Sequence, residues 1–352
     1  MATAILPRRC FTVPRRLWLR GLSTSAPRPS PPRVHDMPSR PAKLIYDYLT
    51  PTHSHLLDVT LADLLPSLHT SSSPAVSSPP AALPQGHHLV YFPIQEAPSR
   101  LVPDGADPDH SPGAPYERRM WAGGEVVFRR GAAAAAALRL DGRACLCKER
   151  IAEVDVRGAE GDERVFVHVK RSYGLGHEDR DESEGEGWLI EERRTLVFMR
   201  NSGLEEISGT PRLIKSPSNA TFSVSLTPSA IHLFHFSALT FNAHAIHLDR
   251  RYAQQTDGHR SLLVHGPLTL ALMLRVLGAH VGGGQEGAGA FISRFSYRNL
   301  APLYVDEAMR ICLRGPRESP GSNGQTWDVW IEGEKGGLAV KGSAVVEDVS
   351  KV

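Results

Sequence analysis

Histidines are concentrated in one part of this 352-residue sequence. Six of the sixteen lie between residues 232 and 265, namely His232, His235, His244, His247, His259 and His265. An imidazole titrates near neutral pH, so it can take a proton in one step of a reaction and return it in the next. It is also a common zinc ligand. The cluster therefore indicates acid–base catalysis, a metal site, or structural histidines that hydrogen-bond to the backbone.

The metal alternative depends on two H-x2-H pairs, His232/His235 and His244/His247. Zinc accepts four such ligands, but each pair would need a helix to bring its two rings together. No carboxylate motif of the metalloprotease type accompanies them. A C-x-C pair begins at Cys145, yet the sequence holds no second thiol pair to complete a site. We therefore expect reduced thiols and no bound metal.

The stretch HGPLTLALMLRVLG, which follows the histidines, predicts a buried helix. Pro267 suits the first turn of a helix, and Gly278 suits its C-terminal cap. Nearly every position between them is apolar, which is typical of a helix buried on most of its circumference. A helix of about 11 residues followed by half-buried strands predicts a sheet wrapped around that helix.

Strand-length alternation of apolar and polar residues dominates the rest of the chain. We predict strands over residues 123–130, 149–158, 164–171, 194–200, 290–299 and 308–314, and a hairpin over 326–347 that turns at Glu334 to Gly337. Short helical segments are predicted at 43–49 and 56–65. The tract GAAAAAALRL at 131–140 fits either a helix or a strand insertion.

Three stretches are predicted to be loops. Residues 69–86 form a Ser/Pro linker, residues 97–115 a low-complexity loop, and residues 174–187 an acidic excursion between two strands. The DPDH sequence at 107–110 lies in the second of these, so we expect no catalytic contribution from it.

The first 36 residues have the composition of a mitochondrial transit peptide, because they carry seven arginines and no acid before Asp36. Removing them lowers Lys+Arg from 40 to 33 and Asp+Glu from 38 to 37, so the formal net charge changes from +2 to −4. The remaining chain is then acidic, which argues against nucleic-acid binding. No window of about eighteen apolar residues predicts a membrane span.

The segment FSALTFNAHAIHLD resembles the signature of the MaoC-like, (R)-specific type 2 enoyl hydratases and dehydratases. That signature reads roughly aromatic-x-x-[Ser/Thr]-Gly-Asp-x-Asn-Pro-[Ile/Leu]-His. Its positions fall on Phe236 or Phe241 (aromatic), Thr240 (hydroxyl), Asn242 (Asp), His244 (Asn), Ala245 (Pro), Ile246 (aliphatic) and His247 (His). With asparagine in place of aspartate, the segment is most similar to the fungal mitochondrial hydroxyacyl-thioester dehydratase type 2 group and to mesaconyl-CoA hydratase-like proteins.

The resemblance implies roles for individual residues. His247 would be the acid–base group, Asn242 would orient the water or 3-hydroxyl, and the backbone N–H of Gly266 would stabilise the thioester oxyanion. Substrate contacts would come from His244, His265, Thr240 and Pro267, although we favour a bracing role for His265. An asparagine cannot accept a proton, so His244 could take part of the missing role, or the activity could be lost.

The implied fold is α+β, a double hotdog of two curved antiparallel sheets that each wrap around a helix. We divide the chain into a transit peptide (1–36), a helical segment with the linker (37–84), a degenerate N-terminal hotdog (85–215) that supplies shape, and a catalytic C-terminal hotdog (216–352). The strand pattern supports this fold independently only for the last of these.

The implied function is 3-hydroxyacyl-thioester dehydration in mitochondrial type II fatty-acid synthesis, in the matrix, on acyl carrier protein or CoA thioesters, without a cofactor. The resemblance also allows a homodimer. One alternative is a hydratase of a short dicarboxylic or branched acyl-CoA such as mesaconyl-CoA, for which Arg250, Arg251 or Arg294 could bind the second carboxylate. A non-catalytic hotdog protein that binds acyl thioesters is the other.

Overall fold

Ten antiparallel strands form one continuous sheet in the computed structural model of the chain, in the order β1-β3-β4-β5-β2-β7-β10-β9-β8-β6. The structure describes residues 34–68, 81–130, 137–179, 187–200, 213–282, 290–318 and 324–348. The strands are β1 (Lys43–Tyr48), β2 (Arg118–Phe128), β3 (Ala144–Arg157), β4 (Arg164–Leu175), β5 (Trp188–Met199), β6 (Phe222–Leu226), β7 (Ala290–Asn299), β8 (Met309–Glu318), β9 (Gly324–Glu332) and β10 (Leu338–Asp348). The helices are α1 (Pro51–Leu64), α2 (Ala230–Thr240), α3 (Arg250–Gln255) and α4 (Gly266–Val281).

The sheet consists of two halves that meet where β2 pairs with β7. Strands β1 to β5 come from the first half of the chain and β6 to β10 from the second, so each half contributes five neighbouring strands. This arrangement is the predicted double hotdog, and it places the histidine-rich segment beside a seam to which both halves contribute.

The second half is built around α4, which packs against β7, β8 and β9. Nine of its sixteen residues are buried, as the nearly continuous apolar sequence predicts. The predicted C-terminal cap at Gly278 is wrong, because the helix continues to Val281 and is capped at Gly282. A side chain at Gly278 would touch nothing, so this glycine is tolerated within the helix.

The first half lacks a helix of this length among its described residues. Its apolar core takes in α1 together with a short buried 3-10 turn, His87–Val90. The His88 ring lies edge-on to Phe128 and Tyr173 at centroid distances of 5.6 and 5.3 Å. The helix predicted at 43–49 is wrong, since this segment is β1 and pairs with β3. The one predicted at 56–65 lies in α1.

The other predicted strands and the C-terminal hairpin are confirmed, with ends that differ by a few residues. Strand β6 and helix α2 had not been predicted. Most of the leader (1–33), and residues 69–80, 131–136 and 180–186 of the linker, alanine tract and acidic loop, lie outside the described residues. Where the structure is described, no helix is long and apolar enough to cross a membrane.

Candidate active site

The histidine-rich segment forms a tight turn between α2 and α3. Phe241 ends α2 in the left-handed conformation, with a φ of 52°. A single 3-10 turn, Ala245–His247, then carries the predicted catalytic histidine. The Leu263 N–H donates to the Ile246 carbonyl oxygen at 3.0 Å, which joins this turn to the segment that leads into α4.

His247 is held in one tautomer. Its Nδ1 lies 2.8 Å from the Leu263 carbonyl oxygen, so Nδ1 carries the proton and Nε2 keeps its lone pair. Burial, together with the neighbouring His265 and His244, lowers the pKa of His247 well below its ordinary value. A neutral imidazole with a free Nε2 is the form that a general base requires.

His265 supports His247 from behind. The two rings stack at a centroid distance of 3.7 Å and an interplanar angle of 24°. His265 Nε2 also lies 2.9 Å from the Ser237 hydroxyl, and the residue is fully buried as the N-cap of α4. Since His265 does not line the cavity described below, its position is that of a brace and not of a substrate contact.

Asn242 presents a hydrogen-bond donor to the site. Its Oδ1 accepts the backbone N–H of His244 at 3.0 Å, which fixes the orientation of the amide. Its Nδ2 therefore remains to donate to a ligand. Thr240, also predicted to contact substrate, donates its hydroxyl to the Phe236 carbonyl oxygen at 2.7 Å and lines the same cavity.

Gly266 begins α4, so its N–H belongs to the first turn, where backbone donors have no partner within the helix. The helix dipole adds a partial positive charge at this end. A side chain here would meet Trp121 Cγ at 2.9 Å, so only glycine fits under the indole. Trp121 is fixed by hydrogen bonds to Tyr297 and Asn299. Pro267 follows in the first turn and lacks an N–H.

A cavity of about 400 Å³ connects these groups. His247, Asn242, Gly266, Thr240, Pro267 and His244 lie on its wall, so six of the seven predicted site residues converge there. The apolar part of the wall comes from both halves and includes Ile45, Leu89, Phe92, Leu196, Phe236 and Leu303. Three arginines also line it, namely Arg119, Arg171 and Arg194.

The first half of the chain contributes a carboxylate to the site in addition to the apolar wall of the cavity. Asp104, in the predicted low-complexity loop, places Oδ2 3.1 Å from His244 Nε2. Burial opposes the ionisation of both groups, yet their contact keeps the pKa of Asp104 below its ordinary value while that of His244 is also lowered. The pair is therefore a carboxylate beside a neutral imidazole at pH 7. No local sequence pattern indicates this contact, because the two residues are far apart in the chain.

Asp107 and His110 in the same loop are also buried and line the cavity, a position that the low-complexity composition of the loop does not predict. With Glu149 they form the one group of three ligand-type side chains, within the described ranges, whose atoms lie within 4.8 Å of one another. His110 Nε2 contacts Glu149 Oε1 at 2.8 Å, and Arg171 already pairs with the same carboxylate. The two H-x2-H pairs weighed from the sequence form no such group within the described ranges, and His232 Nδ1 accepts the Ser229 N–H at 3.1 Å.

The arginines named from the sequence lie elsewhere. Arg250 and Arg294 pair with Asp306 and Glu125, and neither they nor Arg251 line the cavity. Asp249, next to Arg250, caps α3 by accepting the Tyr252 N–H at 3.0 Å.

The chain matches a known protein family over most of the residues that form this site. The family described as hydroxyacyl-thioester dehydratase type 2 matches residues 86–305, which is more than half of the chain. The chain belongs to this family. Its members are hydro-lyases, and the matched range contains both the predicted catalytic turn and the Asp104 loop. The chain is 31% identical to mesaconyl-C(4)-CoA hydratase from Chloroflexus aurantiacus, with 82% of this chain and 92% of the relative covered.

A second relative of this dehydratase family is the mitochondrial hydroxyacyl-thioester dehydratase type 2 of Schizosaccharomyces pombe, at 26% identity with the same coverage of 82% and 92%. Among solved structures, a MaoC-like dehydratase from Phytophthora capsici superimposes with a TM-score of 0.60 at 16% identity, over 90% of this chain and 99% of that one. This likeness confirms the double hotdog fold.

Proposed function

We propose that the protein interconverts (R)-3-hydroxyacyl thioesters and trans-2-enoyl thioesters by loss or addition of water. The observation that carries the proposal is the convergence of three groups on one cavity: the free Nε2 of His247, the Nδ2 donor of Asn242 and the backbone N–H of Gly266. Each supplies one requirement of the reaction, namely a base, a hydroxyl ligand and an oxyanion donor.

In the dehydration direction, His247 Nε2 takes the proton from C2 and leaves its electron pair on the enolate. The thioester oxygen, which gains charge, accepts the Gly266 N–H. The electron pair then forms the C2–C3 double bond as the C3–O bond breaks, and the protonated His247 returns its proton to the departing hydroxyl. Water leaves and His247 is neutral again, so a single imidazole balances both proton transfers.

The acyl group would be carried on acyl carrier protein, with CoA esters as alternative substrates, and the pathway would be fatty-acid synthesis in the mitochondrial matrix. The arginine-rich, acid-free leader and the mitochondrial relative support this assignment. A fluorescent protein fused to residues 1–40 should enter mitochondria, whereas a cytosolic fusion would refute the localisation. Chain-length preference follows from comparing crotonyl and C10 trans-2-enoyl thioesters.

A second candidate, hydration of a short acyl-CoA with a second carboxylate, is favoured by Arg119. This guanidinium lines the cavity and forms no ion pair within the described part of the chain; its hydrogen bond to the Asp107 carbonyl oxygen is 3.4 Å long. Arg119 and Trp121 are two residues apart in β2, so they project from the same face of the strand, ~7 Å apart. Trp121 in turn covers Gly266.

The two candidates are separated by assaying full-length protein and Arg119→Met with crotonyl-CoA and mesaconyl-C4-CoA. A dicarboxylate enzyme should prefer mesaconyl-C4-CoA and lose that preference in the variant. Equal effects of the variant on both substrates would refute the carboxylate role. Tight thioester binding without turnover of any substrate would show instead that the protein is a non-catalytic acyl-thioester binder.

A further inference from the structure

The active site has a donor, Asn242, where the MaoC-like signature has an aspartate. An aspartate at position 242 could accept a hydrogen bond from the water or hydroxyl at C3. Asn242 presents a donor at that position instead, because its Oδ1 is turned to the His244 N–H and its Nδ2 takes the place of the second carboxylate oxygen. The oxygen at C3 would then meet the Asn242 donor and the His247 base, but no second acceptor for its remaining hydrogen.

His244 is placed to supply that acceptor. Its ring lies edge-on to His247, at a centroid distance of 5.5 Å and an angle of 89°, and it lines the same cavity. Its Nε2 lies 3.1 Å from Asp104 Oδ2, and the charge of that carboxylate favours a proton on Nε2 of the neutral ring. Nδ1 then carries a lone pair, and it has no hydrogen-bond partner among the residues that the structure describes.

Asp104 is itself fixed on both sides. Its Oδ1 accepts the Ala106 N–H at 2.9 Å, and its carbonyl oxygen accepts the Ala245 N–H at 2.8 Å. Gly105, in the left-handed conformation with φ of 81°, lies so close to the catalytic turn that a side chain would come 2.2 Å from the Ala243 carbonyl oxygen. The loop is thus docked directly onto the turn that holds His244.

We propose that His244, held by Asp104 from the first half of the chain, is the hydrogen-bond acceptor that replaces the missing aspartate. This inference rests on the proposed hydratase–dehydratase function. Here His244 touches the reacting water and Asp104 acts through His244 as a positioning residue. The first hotdog therefore contributes a functional side chain to the catalytic site of the second.

In the hydration direction, the water accepts the Asn242 Nδ2–H, donates one hydrogen to His244 Nδ1 and the other to His247 Nε2. His247 takes its proton as the oxygen bonds to C3, and the electron pair of the double bond moves onto C2 and the thioester oxygen. The protonated His247 then delivers the proton to C2. The hydrogen shared with His244 stays on the new hydroxyl, so His244 orients the water and is not consumed.

A double-mutant cycle between positions 242 and 244 tests this exchange of roles. His244→Phe keeps a flat ring of similar size without an acceptor, and we expect it to lower kcat about 10-fold or more, at the low end of the range for losing a group that assists proton transfer. In protein carrying Asn242→Asp, the aspartate restores an acceptor, so the same change should cost less than about 3-fold. Equal losses in both backgrounds would overturn the proposal.

Asp104 is tested by rescue. Asp104→Ala should lower kcat with little change in KM, whereas Asp104→Asn, whose amide oxygen can still accept the His244 N–H, should recover most of kcat. The control is Asp109→Asn, which changes an exposed carboxylate in the same loop that pairs with Lys43. Equal activity of Asp104→Ala and the control would overturn the positioning role, as would equal loss in both Asp104 variants.

Different results would refute the proposed function and the role of His244. If the wild-type chain hydrates no enoyl thioester although it is folded, the proposed function is refuted. If it is active but the cycle shows no coupling, only the role of His244 is refuted. Melting temperatures of all variants separate loss of folding from loss of chemistry.

Discussion

Replacing Gly266 with alanine tests the oxyanion site with a single methyl group. The new Cβ would lie 2.9 Å from Trp121 Cγ and 3.1 Å from Trp121 Cβ. Ordinary contacts begin near 3.4 Å, so the indole or the start of α4 must move by about 0.5 Å. Overpacking of this kind costs ~1–3 kcal/mol of stability. If the N–H no longer reaches the thioester oxygen, the loss of transition-state stabilisation is ~3–4 kcal/mol, or about 10²–10³-fold in kcat.

The assay is the loss of enoyl-thioester absorbance during hydration, measured together with the melting temperature. The matched control is Gly278→Ala in the same helix, where a methyl group touches no atom within 4 Å. That variant should gain up to ~1 kcal/mol of stability from helix propensity and keep its activity. If Gly266→Ala folds and retains more than about a third of wild-type kcat, the oxyanion role of this backbone group is refuted.

Three further predictions follow from the same structure. The acidic limb of the rate–pH profile should lie below pH 6.5, because the pKa of His247 is lowered; a limb at or above 6.5 would contradict its buried, neutral state. The free energy of unfolding should fall as the pH drops from 6.5 towards 4, by ~1.4 kcal/mol per pH unit for each histidine that is protonated only in the unfolded state. Denaturant titrations that give the same free energy of unfolding over this range would refute this prediction. Burial lowers the pKa of several histidines in this way, to about 4 for His87, His88 and His259 and to about 3 for His265. Leu272→Ala, at a fully buried position of α4, should cost ~2–5 kcal/mol in the same titrations, and a loss below 1 kcal/mol would show that α4 is loosely packed.

The buried helix could be predicted from the sequence because it depends on local pattern, and the candidate site residues could be named because their segment resembles a family signature. A stretch of apolar residues after His-Gly-Pro indicates a helix start whatever the rest of the fold is. The end of that helix could not be predicted, because Gly278 is compatible with both a cap and an internal position. The surroundings decide, and they leave this glycine room to continue the helix.

Strand β1 and the contact of Asp104 with His244 could not be predicted, because both depend on contacts between distant segments. The segment at 43–48 becomes a strand by pairing with β3, about a hundred residues later. Asp104 reaches His244 only because the loop before β2 folds onto the turn after α2. The loop is rich in Pro, Gly and Asp, and this composition is typical of low-complexity loops. The same residue types also form tightly docked loops, so composition does not distinguish the two.

The arginines show the same limit. Charge and sequence position suggested Arg250, Arg251 and Arg294 as ligands for a second carboxylate, but these are surface residues. The arginines that line the cavity lie on β2, β4 and β5. Which face of a strand points into a cavity depends on how the two halves meet, and period-2 alternation does not encode that.

The central claim is that His247 is the acid–base group of a hydratase–dehydratase. The most direct test compares hydration of crotonyl-CoA by the wild-type chain and by His247→Ala, with folding checked by circular dichroism. We predict turnover by the wild type and a loss of ~10²-fold or more in the variant, as expected for removal of a general base. A folded variant that keeps wild-type kcat would contradict the assignment of His247.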